Sequence, residues 1–251
     1  GSASGYTLHQ INLSGRTYVA WNWKAGGTGV SNTNGSITST VSANADAGFS
    51  IVSYTGTAST ITVGHGLSSK PEMIIVKKRD AADHWAVMHK GIASDYETDF
   101  INLNQTAAAA DTANYWNDTE PTNSLFTLGN QSVTNSSSKA YIAYCFHSVD
   151  GYSKVGSYTG NGSTTGTTVS GLDFTPKFIM IKRSDSTGNW IMLDDVRDTS
   201  NPRNAYLMAN SSASEATGKD VDFNSGSFQI KTTDSDVNAS GGTYIYLAIA
   251  G

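Results

Sequence analysis

Gly48-Phe49-Ser50-Ile51-Val52-Ser53-Tyr54-Thr55-Gly56 returns, with one insertion, as Gly151-Tyr152-Ser153-Lys154-Val155-Gly156-Ser157-Tyr158-Thr159-Gly160. The likeness spreads outward from this stretch. Gly66-Leu67 matches Gly171-Leu172, and Pro71-Glu72-Met73-Ile74-Ile75-Val76-Lys77-Lys78 matches Pro176-Lys177-Phe178-Ile179-Met180-Ile181-Lys182-Arg183. Trp85 falls on Trp190, and Asn104-Gln105-Thr106-Ala107 on Asn210-Ser211-Ser212-Ala213. Each copy closes on a strand pattern, Ala140-Tyr141-Ile142-Ala143-Tyr144 or Thr243-Tyr244-Ile245-Tyr246-Leu247. The period, about 103 residues from Tyr141 to Tyr244, is too long for a solenoid repeat and reads as a domain-sized duplication.

Within each copy, runs of five to eight residues rich in Val, Ile, Tyr, Phe and Thr alternate with Gly/Ser/Asn/Thr turns, which is a strand signal. Strands are expected near 49–55, 60–64, 72–78, 84–89, 99–104, 124–128 and 139–147, and again near 152–158, 166–170, 177–183, 189–193, 204–209, 227–231 and 243–250. Seven short strands per copy predict an all-β fold of two tandem, jelly-roll-like β-sandwiches, over 48–150 and 151–251. Ser148-Val149-Asp150-Gly151 reads as a hairpin turn between them, and four alanines within Thr106–Asn114 suggest one helical turn. Residues 1–47 hold a third, partial copy and a linker. Gly15-Arg16-Thr17-Tyr18-Val19-Ala20-Trp21-Asn22-Trp23 resembles a closing strand, either left from a longer parent chain or completing the first sheet. Thr28–Ala47 is rich in Ser, Thr, Asn and Gly, with a short strand signal at Ser36–Val41. Gly1–Gly5 reads as a cloning remnant and flexible lead-in, with no signal peptide.

Side chains on a strand alternate between faces. One face of the closing strands carries Ile142, Tyr144 and Phe146, or Ile245, Leu247 and Ile249, and its counterparts in the fragment are Val19, Trp21 and Trp23. This is the expected core face. Trp21 and Trp23 have the look of a sugar-stacking pair but by position read as core, and the matched Trp85 and Trp190 read as structural.

The chain has 251 residues, with 16 Lys and Arg against 21 Asp and Glu, a net charge of −5, and 15 % charged residues. Without a basic run, nucleic acid is not an expected partner. No run approaches the ~20 apolar residues of a membrane-spanning helix. The single Cys145 excludes an intramolecular disulfide and a cysteine zinc site.

No residue pattern points to catalysis or a cofactor. His84 and His89, five apart on a strand, face opposite ways, and none of His65, His89 and His147 recurs in the second copy. No metal site is expected. Asp194, Asp195 and Asp198, and Asp220 with Asp222, offer paired carboxylates without a spacing that selects a glycosidase. Asp234 and Asp236 offer a loop that could share an ion. Asn161-Gly162-Ser163-Thr164-Thr165-Gly166 misses the spacing of a serine-hydrolase elbow. Asn-x-Ser/Thr occurs at Asn12, Asn34, Asn117, Asn135, Asn161, Asn210 and Asn238, among other positions, as chance allows in so Asn-, Ser- and Thr-rich a chain. The segment Ala113-Asn114-Tyr115-Trp116-Asn117-Asp118-Thr119-Glu120-Pro121 has no aromatic counterpart in the second copy. Two rings among amides and a carboxylate suit a carbohydrate, so Tyr115, Trp116, Asn117 and Asp118 are the candidate ligand-binding residues, the alternative being a loop aromatic tucked against its own sandwich.

The run Ser36-Ile37-Thr38-Ser39-Thr40-Val41-Ser42-Ala43-Asn44 through Gly56, with Val63-Gly64-His65-Gly66-Leu67, Ala140–Phe146, Tyr158-Thr159-Gly160-Asn161-Gly162-Ser163 and Gly241-Gly242-Thr243-Tyr244-Ile245-Tyr246, resembles a repeated domain of unknown function. That family is common in tail-fibre and other virion proteins of tailed phages, especially marine ones. The likeness covers residues 16–250. It implies a non-enzymatic structural protein of an extracellular tail appendage that contacts other virion proteins and a bacterial surface glycan or receptor. Fibres of this kind are usually homotrimers, an expectation that comes with the resemblance and not from these residues. A carbohydrate-binding module of a secreted protein is the alternative reading.

Overall fold

The computed structural model describes residues 13–251, so the lead-in at Gly1–Gly5 and Asn12 lie outside the described residues. The first half contains β1 (Val30–Asn32), β2 (Ser39–Asn44), β3 (Phe49–Thr55), β4 (Ile61–Gly64), β5 (Met73–Lys78), β6 (Trp85–His89), β7 (Asp99–Asn102), β8 (Ala110–Asp111), α1 (Ala113–Trp116), β9 (Leu125–Leu128), α2 (Ser132–Asn135) and β10 (Ala140–Phe146). The second contains β11 (Ser153–Thr159), β12 (Thr167–Ser170), β13 (Phe178–Arg183), β14 (Trp190–Asp194), β15 (Leu207–Met208), β16 (Val221–Asn224), β17 (Ser227–Ile230) and β18 (Thr243–Ile249). The fold is all-β and sandwich-like, with antiparallel sheets.

The larger sheet runs β1-β2-β3-β10-β5-β6-β7-β8, and the next β11-β18-β13-β14-β15. The order β3-β10-β5-β6-β7 therefore returns strand for strand in the second half. Each large sheet is faced by a small one, β4-β9 or β12-β17-β16.

Three buried clusters hold these layers. One joins Val52, Val76, Trp116, Phe126 and Tyr141 of the first half, and its counterpart joins Ile181, Leu193, Phe228 and Tyr244 of the second. The third lies between the two large sheets and draws Phe49, Met73, Val87 and Phe146 from the first half and Phe178, Trp190, Leu247 and Ile249 from the second. The expectation of one core face on the closing strands is corrected here, because those strands lie mid-sheet and are covered on both sides. Tyr141, Ala143 and Cys145 pack inside the first half, and Tyr244, Tyr246 and Ala248 inside the second. The expected core face, with Phe146, Ile245, Leu247 and Ile249, forms the junction between halves.

Matched polar corners fix the ends of each closing strand. Tyr54 stacks on Tyr141 at 5.2 Å, and Tyr158 on Tyr244 at 4.9 Å. Tyr141 Oη donates to Ser132 O and accepts from Ser136 N, while Tyr244 Oη donates to Ser235 O and accepts from Ala239 N. Two fully buried amides, Asn135 and Asn238, tie the neighbouring turns. Asn135 accepts from Thr57 N and donates to Ser59 O and Gly129 O. Asn238 accepts from Asn161 N and donates to Ser163 O and Thr232 O.

Four local expectations change. Thr28–Ala47 is no loose linker, because β1 and β2 extend the large sheet and Val41 joins the core. Gly15–Trp23 forms no strand and lies instead as an extended strap. The turn at Ser148–Gly151 passes the chain from one large sheet to the other, so β10 and β11 are not hairpin partners. The helical turn falls at Ala113–Trp116, where the Thr112 hydroxyl accepts from Asn114 N, and the alanines before it end in β8.

Candidate binding cleft under the N-terminal strap

The strap keeps the strand-like alternation of its sequence without a strand partner. Trp21, Trp23 and Ala25 are half-buried against the cluster between the halves, while Asn22 and Lys24 are exposed. Trp21 lies 5.5 Å from Phe178, and Trp23 meets Phe178 and Phe146 edge-on at 5.6 and 6.3 Å. Two side chains of β2 hold its exit, Asn44 Nδ2 donating to Lys24 O and Ser42 Oγ to Gly27 O. Gly26 permits that approach, since a Cβ there would sit 2.0 Å from Ala43 O.

Between the strap and the second half lies a cleft of about 600 Å³, lined by Tyr18, Trp21, Trp23, Tyr152 and Phe178 on its apolar side. Lys177, Asp194, Asp195 and Arg197 supply its charged lining. Asp194 is the pivot. At the end of β14 its Oδ1 accepts from the backbone N–H groups of Val196 and Arg197, and its Oδ2 accepts from Arg197 Nε at 2.6 Å and Trp21 Nε1 at 3.2 Å. Burial alone would raise its pKa, but the Arg197 backbone and guanidinium together with the Trp21 indole hold it below the usual carboxylate range. Arg197 also donates to Glu215 and to Met192 O, and its guanidinium lies 5.6 Å from the Trp21 ring centre. Lys177 pairs with Asp195 at 2.5 Å.

A carboxylate held ionised by four donors is a poor general acid, so Asp194 does not suit the acid of a glycosidase pair. Of the other carboxylates, Asp198 accepts from the backbone of Asn204 and Ala205, and Asp222 pairs with Lys231. An apolar, aromatic-lined cleft with a few fixed polar groups is the usual form of a small-molecule site.

The loop expected to carry the ligand differs. Trp116 is 0 % exposed and donates its indole N–H to Asp99 O at 2.9 Å, and Tyr115 is buried with its ring stacked on Phe100 at 3.9 Å. Neither presents a face to solvent, because α1 turns both rings into the core of the first half. Asn117 and Asp118 are exposed at the left-handed end of that turn, and Asn117 accepts from Thr60 Oγ1. The four residues form no common ligand surface.

The Asp234/Asp236 loop holds the Lys219 ammonium, which pairs with both carboxylates where an ion was the alternative. Among the described residues no group of three or more His, Cys, Asp or Glu side chains is placed to hold a metal. His65 and His89 are buried as neutral Nε2–H tautomers. Their Nε2 atoms donate to Thr122 O and Tyr246 O, and their Nδ1 atoms accept from Leu67 N and Gly91 N. Asn135 and Asn238 are buried, so these two Asn-x-Ser motifs are structural.

Compared with known proteins, residues 2–251 match the model of a domain of unknown function, DUF7483. The chain belongs to the DUF7483 family. No curated protein and no solved structure matches it. The DUF7483 cleft residues were partly in view in the sequence, where Trp21, Trp23, Asp194 and Asp195 each stood out, but nothing linked Trp21 to a carboxylate 173 positions away. Arg197 carried no signal of its own.

Proposed function

We propose that this chain is a non-enzymatic structural and receptor-binding part of a tailed-phage virion appendage, built on two copies of a duplicated unit, and that it holds a bacterial surface glycan in the strap cleft. The observation that carries the reading is the cleft itself, where partly exposed tryptophans and tyrosines stand beside polar groups already locked in position. Such a site stacks on the apolar face of a sugar ring and meets its hydroxyls with little reordering. The sequence resemblance supports the virion setting, and the packing of both halves on one shared cluster suits a rigid appendage. The same cleft serves the alternative of a secreted carbohydrate-binding module, which differs in working as a monomer.

The test is binding of the labelled protein to a panel of bacterial cells and their purified surface polysaccharides, with Trp23→Ala alongside and polymer length followed by size-exclusion chromatography. Saturable binding that Trp23→Ala weakens at least tenfold, with polymer length unchanged, is expected. Shortening of the polymer would overturn the non-enzymatic reading, and binding indifferent to Trp23 would move the site elsewhere.

A further inference from the structure

We infer that the strap cleft selects an uncharged glycan segment and rejects carboxylated or sulfated ones. This rests on the glycan reading above and narrows its ligand class. The reason is that the cleft's cations are already engaged. Arg197 commits Nε to Asp194, Nη1 to Glu215 and Nη2 to Met192 O. Lys177 commits its ammonium to Asp195. An anionic ligand would have to displace a carboxylate that is present at no entropic cost, and would meet the two lining carboxylates, Asp194 and Asp195, against the two cations Lys177 and Arg197. The charged network instead orients the rings. The Trp21 indole N–H is spent on Asp194, so the ring offers its apolar surface and no donor. The neutral side chains of Asn22 and Tyr152, both lining the cleft, are the groups suited to hydroxyls, with donor and acceptor capacity and no net charge.

Salt separates the alternatives, because recognition through rings and neutral hydrogen bonds is nearly indifferent to ionic strength, whereas recognition of an anion by exposed cations is screened. The probes are dextran and galactomannan, alginate and chondroitin sulfate, and each bacterial polysaccharide that binds in the panel above, before and after reduction of its carboxyl groups. Each is titrated between roughly 0.05 and 0.5 M NaCl, where screening runs from weak to nearly complete. Trp23→Ala, and Tyr18→Ala as a second variant at a more exposed lining residue, report whether binding is at the cleft. The expected result is cleft-dependent binding of neutral polymers whose affinity changes less than about twofold across that range, retained or improved on carboxyl reduction. Cleft-dependent binding of alginate or chondroitin sulfate that weakens by about tenfold or more with salt would overturn this inference and leave the glycan reading standing. Absence of saturable binding to every probe and every panel polysaccharide would overturn both.

Discussion

Asn135 and Asn238 show what a single residue contributes here. Each is fully buried, and each satisfies three backbone groups drawn from two segments. Replacement by Ala strands those groups in the interior at a cost of about 1–3 kcal/mol apiece where no water reaches them. Asn135→Ala and Asn238→Ala are therefore expected to lose about 2–4 kcal/mol each, read as a lowered urea midpoint at unchanged slope. A loss below about 0.5 kcal/mol, the level of an ordinary surface substitution, would show that the corners are not structural. Trp116 is a second buried residue of this kind. Trp116→Ala removes a buried indole and a hydrogen bond to Asp99 O and should lose about 3–5 kcal/mol, whereas Asp118→Gly, at φ +44° in an exposed position, should leave stability unchanged or slightly raised. Thermal melts of the two variants decide between a core residue and a ligand platform. Trp116 was visible in the sequence as an unmatched aromatic, but the side of the loop on which its ring would lie depends on α1 and Phe100, and no spacing encodes that.

At the scale of elements, the strand pattern was legible almost throughout. The 49–55 stretch is β3 to the residue, and most other strands lie within one or two positions of their expected spans. The glycine that follows Tyr-Thr at the ends of β3 and β11 also has a physical cause. A Cβ on Gly56 would sit 2.3 Å from Ser136 O, and one on Gly160 would sit 2.4 Å from Ala239 O. Gly56→Ala and Gly160→Ala are both expected to destabilise by about 1–3 kcal/mol, the range for overpacking against a fixed neighbour. If differential scanning calorimetry shows one variant shifted and the other not, the two corners are not equivalent. Local pattern failed where strands are short, and β16 was not expected although Val221 and Phe223 alternate inward. Neither β1, with exposed Val30, nor β8 carries a hydrophobic alternation, and each forms only because a longer strand offers it an edge. The strap failed in the opposite sense, since it has the pattern of a strand and finds a groove between sheets in place of a ladder.

For the whole molecule, the shared cluster and the bonds across it tie the halves together. Trp190 Nε1 donates to Asn102 O, Ala109 N to Ser184 O, and His89 Nε2 to Tyr246 O. One cooperative unfolding transition is expected for the full chain, and residues 48–150 expressed alone should expose Phe49, Met73, Val87 and Phe146 and aggregate. Two separate calorimetric transitions would overturn that. The pH dependence follows from the same burial. Burial lowers His65 and His89 to about 4, and protonation at Nδ1 would also turn the acceptor for Leu67 N or Gly91 N into a donor. The unfolded chain, with histidines near ~6.5, takes up these protons first. The stability is therefore full above about pH 6.5 and falls as pH drops toward 4. Each histidine contributes up to roughly 3 kcal/mol to that loss, and His89→Gln should flatten the slope of the urea midpoint between about pH 7 and 5. An unchanged slope would show that His89 is not one of the groups titrating.

The sequence by itself determined the all-β class, most of the strand positions and the internal likeness, because these rest on side-chain alternation, turn residues and repetition, all of which are local. Tertiary structure decided which strand faces are buried in a half and which between halves, and it buried Trp116 while leaving Trp21 and Trp23 at the rim of a cleft. Those outcomes depend on which surface a ring meets, and Asp194, Arg197 and Phe178 reach the strap only once two sheets distant in sequence are stacked.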